Sequence, residues 1–316
     1  LDESLDELLA DVAAQGIAFS EADHWRLMEL SPMAIEIVRA DGTVPYINPS
    51  AQRLFRRSRA EYATYNAAQS YVDPADRIRV LAALRAEGRI QDMEVQFRRG
   101  DGERIWLSLS AMLMHSAQGP MSFVWFQDVT ARRRSEERLA HAAAHDGLTD
   151  LPNRLFFAER LDEALRASEQ DGTRAALLLL DLDGFKTVND RHGHASGDVL
   201  LRVVADRLRG EIRAGDTVAR LGGDEFALLF PGARKVSPLR LARRLHRKIG
   251  EAILLGEEIT QVGGSIGIAL FPTHGVDATT LMKCADAAMY AAKRAGGGCR
   301  VYGRKQGRRQ ATALPG

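Results

Sequence analysis

Cysteine is nearly absent: Cys284 and Cys299 are the two in 316 residues. Two thiols make neither a zinc-ligand set nor a disulfide framework, so a reducing cytoplasm is the simpler expectation. No apolar run approaches the ~20 residues that a bilayer-crossing helix needs. Excess charge of one sign is also missing. The formal net charge is +1, so a general attraction to nucleic acid is not expected, and phosphate binding must come from local placement. Lysine does not occur before Lys186, although arginine is abundant. Lys186 therefore marks a position where a compact ammonium is wanted near phosphate, with a solvated surface lysine as the plain alternative. What remains is ordinary for a folded chain, 45% hydrophobic and 27% charged, and long enough for two domains.

The most informative stretch is Gly222-Gly223-Asp224-Glu225-Phe226, set between the apolar runs Val218–Leu221 and Ala227–Phe230. The flanks read as strands and the glycine pair as the tip of their hairpin. Two adjacent acids at such a tip lack partners unless a cation binds there, and glycine lets a bulky ligand approach the backbone. An acidic two-residue turn is the bland reading of these five residues. A second element tips the balance. Ala175–Leu180 is a continuous apolar run, the pattern of a buried central strand, and it ends in Asp181-Leu182-Asp183-Gly184-Phe185-Lys186. An aspartate at the carboxyl end of such a strand lies where α/β sheets bind ligands. Asp181 with Asp224 would offer hard oxygen ligands from two neighbouring strands, suited to Mg²⁺ and displacement at phosphorus.

Together with Asp146–Arg154, Val188–Asp198, Ser265–Ala269 and Ala285–Lys293, these segments resemble the GGDEF family, the diguanylate cyclases, over roughly the second half of the chain. The resemblance implies a palm-like domain with a central mixed sheet flanked by helices, which condenses two GTP into cyclic di-GMP and pyrophosphate between two protomers of a homodimer. It implies Asp181, Asp224 and the Leu182 carbonyl as metal ligands, for Mg²⁺ with Mn²⁺ as the second choice. Glu225 either takes the proton of the attacking 3′-hydroxyl or holds a second metal, and both need a carboxylate in reach. Lys186 and Lys293 neutralise phosphates, while Gly222 and Gly223 let the nucleotide lie against the backbone. Asn189, His194 and Asp198 hold guanine; a loop-fixing hydrogen bond is the alternative for His194. Asp183 either is a third ligand or, preferred here, caps or orients the turn around Phe185. Arg213 and Asp216 match the family's Arg-x-x-Asp product site, completed by Arg243 or Arg244, with Arg244 favoured, so cyclic di-GMP would inhibit its own synthesis.

The first half reads as short strands and turns: Ala34–Val38, Val44–Ile47, Met93–Phe97, Ile105–Met114 and Met121–Gln127, with a helix from Asn48 through Phe55. It resembles a PAS domain, an antiparallel-sheet sensor or dimerising module whose ligand is unknown. His115 is expected at the surface, and Trp106 and Trp125 in the core. The whole is thus α+β followed by α/β. A connecting helix occupies residues 1–23, the PAS domain 24–130, a signalling helix 131–145, the GGDEF domain 146–305 and a disordered tail 306–316. In the signalling helix, Ser135, Leu139 and Ala142 form a thin coiled-coil seam, with a plain spacer helix as the alternative.

One departure from the family pattern stands out. Gly297 and Gly298 replace the usual Arg-Asn, so Arg294 or Arg300 would have to stand in at the triphosphate. The alternatives are therefore a catalytically weak GTP-sensing domain of a larger protein with a phosphodiesterase (EAL-type) domain downstream, or a pure cyclic di-GMP receptor. Because the sequence opens at Leu1, it reads as a fragment, with an upstream sensor region or attachment of the full-length protein to the inner membrane left open.

Overall fold

A computed structural model describes residues 20–117, 119–232 and 237–303. Residues 1–19 of the expected connecting helix and the tail 306–316 lie outside the described residues. The chain folds as two compact units that divide between Glu137 and Arg138.

The N-terminal unit carries the strands β1 (Ala34–Arg39), β2 (Tyr46–Ile47), β3 (Arg89–Arg98), β4 (Arg104–Ser116) and β5 (Gly119–Asp128). They form an antiparallel sheet in the order β2-β1-β5-β4-β3. Helices α1 (Glu21–Leu30), α2 (Pro49–Phe55), α3 (Arg59–Tyr62) and α4 (Pro74–Glu87) fill the connections, with a 3₁₀ turn at Ala67–Ser70. Asn48 starts α2 because its side chain accepts from the Ala51 N–H, and Pro49 sits where no helical N–H is needed. The second strand is shorter than the expected Val44–Ile47, since Pro45 has no N–H to give the ladder.

The two tryptophans are not in the core. Strand side chains alternate, so Ile105, Leu107 and Leu109 take one face of β4 and Trp106 takes the other. There the Arg133 guanidinium lies 4.3 Å from the Trp106 ring centroid. On β5, Val124 and Phe126 point inward and leave Trp125 half-exposed beside Phe123. His115 is exposed, as expected. Helix α5 (Thr130–Ala144) follows, and Leu139 on it is 70% exposed.

The C-terminal unit contains α6 (Arg154–Gln170), β6 (Ala175–Asp183), α7 (Phe185–His192), α8 (His194–Glu211), β7 (Thr217–Gly222) and β8 (Glu225–Pro231). It continues through α9 (Pro238–Ile249), β9 (Ile253–Leu255), β10 (Glu258–Thr260), β11 (Gly263–Phe271), α10 (Ala278–Lys293) and β12 (Gly298–Val301). Its sheet runs β12-β11-β6-β8-β7, mixed because β12 lies parallel to β11 and every other pair is antiparallel. The small pair β9–β10 stands apart from it. Strand β6 is central and apolar on both faces. Leu178 and Leu180 pack against Leu200, Val204 and Leu245, while Leu177 and Leu179 pack against Phe157, Leu161 and Leu281. Each such leucine contributes about 1.5–3 kcal/mol when fully buried. The middle strand is therefore fixed from both sides, and its polar end with it.

Candidate active site

That polar end is Asp181, near the carboxyl end of β6 and 8% exposed. Beside it, β7 and β8 pair so that Gly222 faces Glu225, and Gly223 and Asp224 form the two-residue tip of the hairpin. Gly222 and Gly223 have φ of 139° and 53°, a left-handed path that favours glycine. The ladder places Glu225 directly across from Asp181, and the Leu182 N–H donates to the Asp224 carbonyl at 3.3 Å. Neighbouring strands thus bring Asp181, Leu182, Asp224 and Glu225 to one end of the sheet.

The electrostatics of this end are lopsided. Burial, and then the charge of Asp181, hold the Asp224 carboxyl above the usual carboxylate range, opposed by its own backbone N–H and by Lys293 and Arg220. Lys293, at the end of α10, donates to Asp181 Oδ1 at 2.7 Å, and that bond with the surrounding aspartates raises its own affinity for its proton. The ammonium is thus bonded to Asp181, while Asp224 feels its field. Among the described residues no three His, Cys, Asp or Glu side chains are grouped to hold a metal by themselves. Two carboxylates and a main-chain oxygen are still a sound partial set for Mg²⁺, which takes its remaining ligands from phosphates and water.

The other expected residues fall around this end. Lys186 and Asn189 lie on α7, His194 and Asp198 on α8; Lys186, His194 and Asp198 are exposed. The Asn189 side-chain oxygen is buried without a hydrogen-bond partner among the described residues. Asp183 does not cap the turn around Phe185: the N-cap of α7 is Gly184, with no side-chain bond. Instead its Oδ1 accepts from the Ser265 hydroxyl at 2.8 Å. Arg294 and Arg300 are exposed. A Cβ on Gly297 would lie 2.9 Å from Asp183 Oδ2, at a φ of +100°, so this turn is shaped for glycine.

Three partnerships escaped the sequence reading. Arg154 reaches Glu225 Oε2 at 3.5 Å and the Leu221 carbonyl at 3.1 Å. A cleft of about 320 Å³ opens beside them, with Lys283 and Asp286 in its wall. Arg220 donates to Asp146 Oδ1 at 2.9 Å and to the Gly223 carbonyl at 2.7 Å. Ser265 holds Asp183. Arg154, Asp146 and Ser265 stand in the motifs of the sequence; their partnerships join residues far apart in the chain, which no local pattern carries.

Farther along, Arg213 and Asp216 line a separate pocket of about 210 Å³ with Glu211 and Arg244. Asp216 accepts from the Arg213 N–H at 3.2 Å. Arg244 is bonded to Glu211 through Nε at 2.6 Å, and of the two arginines considered it is the one in the wall.

This arrangement has counterparts. A family model described as diguanylate cyclase, GGDEF domain, matches residues 143–299. The coiled coil and GGDEF domain of DgcB from Caulobacter crescentus, solved in complex with c-di-GMP, is 32% identical with a TM-score of 0.51. The match covers 55% of this chain and 93% of that one. The chain belongs to the GGDEF family. A PAS domain model matches residues 32–131, ahead of the GGDEF domain. The diguanylate cyclase TpbB of Pseudomonas aeruginosa is 48% identical over 164 residues, 51% of this chain and 38% of TpbB. The bifunctional diguanylate cyclase/cyclic di-GMP phosphodiesterase MucR of the same species is 45% identical over 164 residues, 52% of this chain and 24% of MucR. The chain thus spans well under half the length of these curated relatives. Among the described residues, no helix is long and apolar enough to cross a membrane.

Proposed function

We propose that the GGDEF domain is a magnesium-dependent diguanylate cyclase, condensing two GTP into cyclic di-GMP with release of two pyrophosphates. The observation that carries this reading is the pair Asp181, buried, and Asp224, half-buried, brought together at one sheet end with the Lys293 ammonium bonded to Asp181 and its field reaching Asp224. A divalent metal there, with Mn²⁺ as the alternative to Mg²⁺, supplies the charge that the acids lack and steadies the phosphates during in-line attack.

The chain's own side chains do the rest. Asp181, Asp224 and the Leu182 carbonyl hold the ion. Lys293 and Lys186 face the phosphates. Glu225, across the ladder from Asp181, accepts the proton of the attacking 3′-hydroxyl. Asn189 supports guanine recognition through its unpartnered buried oxygen, an acceptor that a ring N–H or exocyclic amine satisfies. Asp198 and His194 stand on the adjoining helix. Each protomer holds one GTP, so catalysis needs two copies facing each other in the cytoplasm. The PAS domain sets how they meet through α5, where exposed Leu139 lies on the seam. Product returns to the pocket of Arg213, Asp216 and Arg244 and slows the cycle.

A second reading has one specific support. Gly297, tucked against Asp183 where the family pattern has arginine, removes a phosphate ligand and favours a slow, GTP-sensing domain within a longer protein. Incubation with GTP and Mg²⁺, followed by chromatography, decides between the two. Steady production of cyclic di-GMP is expected, and Asp224→Ala should abolish it while product still binds at Arg213 and Asp216. GTP binding without product supports the second reading; full synthesis by Asp224→Ala overturns the metal assignment.

A further inference from the structure

The PAS domain holds a cavity of about 90 Å³ between α4 and the inner face of its sheet. One water needs about 10–15 Å³, so a small organic molecule fits. Most of the wall is apolar, from Val80, Leu84, Leu109 and Val124. Two further features give it a chemistry.

The first is Glu36 on β1, a carboxylate in the cavity wall that is 4% exposed. It accepts one hydrogen bond, from the Tyr62 hydroxyl at 2.8 Å. Among the described residues no basic nitrogen pairs with it. The cation whose field reaches it is Arg57, whose guanidinium lies over the Tyr65 ring at 4.0 Å without a bond to the carboxylate. A carboxylate out of water with so little compensation is a costly thing to keep in a core.

The second is a cluster of aromatic rings in the same wall. Tyr71, Phe97 and Phe126 meet with centroid separations of 4.5 Å between Tyr71 and Phe97 and 5.6 Å between Phe97 and Phe126. Aromatic faces attract cations, and the attraction grows as water is excluded. A buried carboxylate beside such rings is the combination that recognises a small alkylammonium. We propose that this cavity is a binding site for a small primary amine, its ammonium on Glu36 and its alkyl part against Val80, Leu84 and Phe97.

The acid's own titration agrees with this. Burial pushes Glu36 up to about 7, against the Tyr62 bond and Arg57, which pull it down. The titratable and charged groups facing it are Tyr62, Tyr65 and Tyr71, with Arg57; Arg39 and Arg77 stand in the outer wall. The tyrosines are all held above their ordinary range and stay neutral near pH 7, so Glu36 alone changes charge there. With a midpoint near 7, its ionised fraction rises about tenfold from pH 6 to pH 8, and amine affinity should rise by the same factor.

The test uses the whole 316-residue chain and three near-isosteric probes, isobutylamine, isobutanol and isobutyrate, followed by saturation-transfer NMR. Isobutylamine alone is expected to bind, about tenfold more tightly at pH 8 than at pH 6, and Glu36→Gln should remove the binding while keeping the far-ultraviolet spectrum. Equal binding of the amine and the alcohol overturns the proposal. So does a preference for isobutyrate, which makes the site one for anions at Arg39 and Arg77, or the absence of binding by all three. The probe comparison on the unmodified chain decides the matter even where Glu36→Gln fails to fold.

Discussion

The two units each bury acids, and they do so differently. In the C-terminal unit Asp181 and Asp224 sit at a sheet end with the Lys293 ammonium 2.7 Å from one of them. In the N-terminal unit Glu36 is enclosed with a phenol for company and no ion pair among the described residues. Beside the carboxylate pair a cation is already in place, and it offsets part of the cost of keeping Asp224 ionised. A lone enclosed carboxylate sits near its midpoint, so a proton or a cationic guest decides its state. Burial sets the cost in both; the neighbours decide what function the cost serves.

Removing the cation from the first site breaks the contrast most severely. Lys293→Met leaves two carboxylates facing each other, and kcat/KM for GTP should fall by roughly two to three powers of ten, ~3–4 kcal/mol. Steady-state assays across pH should also find the Asp224 limb moved further upward. An unchanged rate would mean that Lys293 only decorates the surface.

Removing the acid from the second site should do the opposite and stabilise. The Glu36 midpoint stands at about 7 in the folded chain against an ordinary 4.5. Below that ordinary value both states hold the proton and nothing is lost. Between the two values the unfolded acid ionises first, so stability falls as pH rises and then levels off above 7. The rise corresponds to roughly 3 kcal/mol, so Glu36→Gln should gain about that much on the parent chain between pH 4 and pH 8. Urea unfolding at several pH values, read from signals of the N-terminal unit, measures it. A constant difference across pH would show that Glu36 ionises as freely as in water.

The smallest effect sharpens the picture at the first site. Gly297→Ala puts a Cβ 2.9 Å from Asp183 Oδ2 at a φ of +100° and should cost about 1 kcal/mol. Thermal unfolding of the C-terminal unit would register it. No loss would mean that Asp183 has room to swing off the Ser265 hydroxyl.

Much of this was legible because it is contiguous. The apolar run ending at Asp181 and the glycine tip before Asp224 each announce themselves within ten residues, and their adjacency follows from two strands sharing one sheet end. Trp106 and Trp125 were misread because bulk was weighed ahead of period. Their neighbours Leu107 and Phe126 claim the inner face, and alternation sends the tryptophans outward. The bond from Ser265 to Asp183 spans 82 positions, and that from Arg220 to Asp146 spans 74. No local pattern encodes such distances. Glu36 went unnoticed because one acid in a strand looks like any surface acid until the sheet closes around it.

Arg220 gives the catalytic unit a strut. Its fork grips Asp146, two residues past the end of α5, and the carbonyl of Gly223, one residue ahead of Asp224. One guanidinium therefore ties the segment after α5 to the peptide just ahead of the acid, by bonds that bypass the hydrophobic interior. A single substitution at Arg220 would cut both ends of that tie at once.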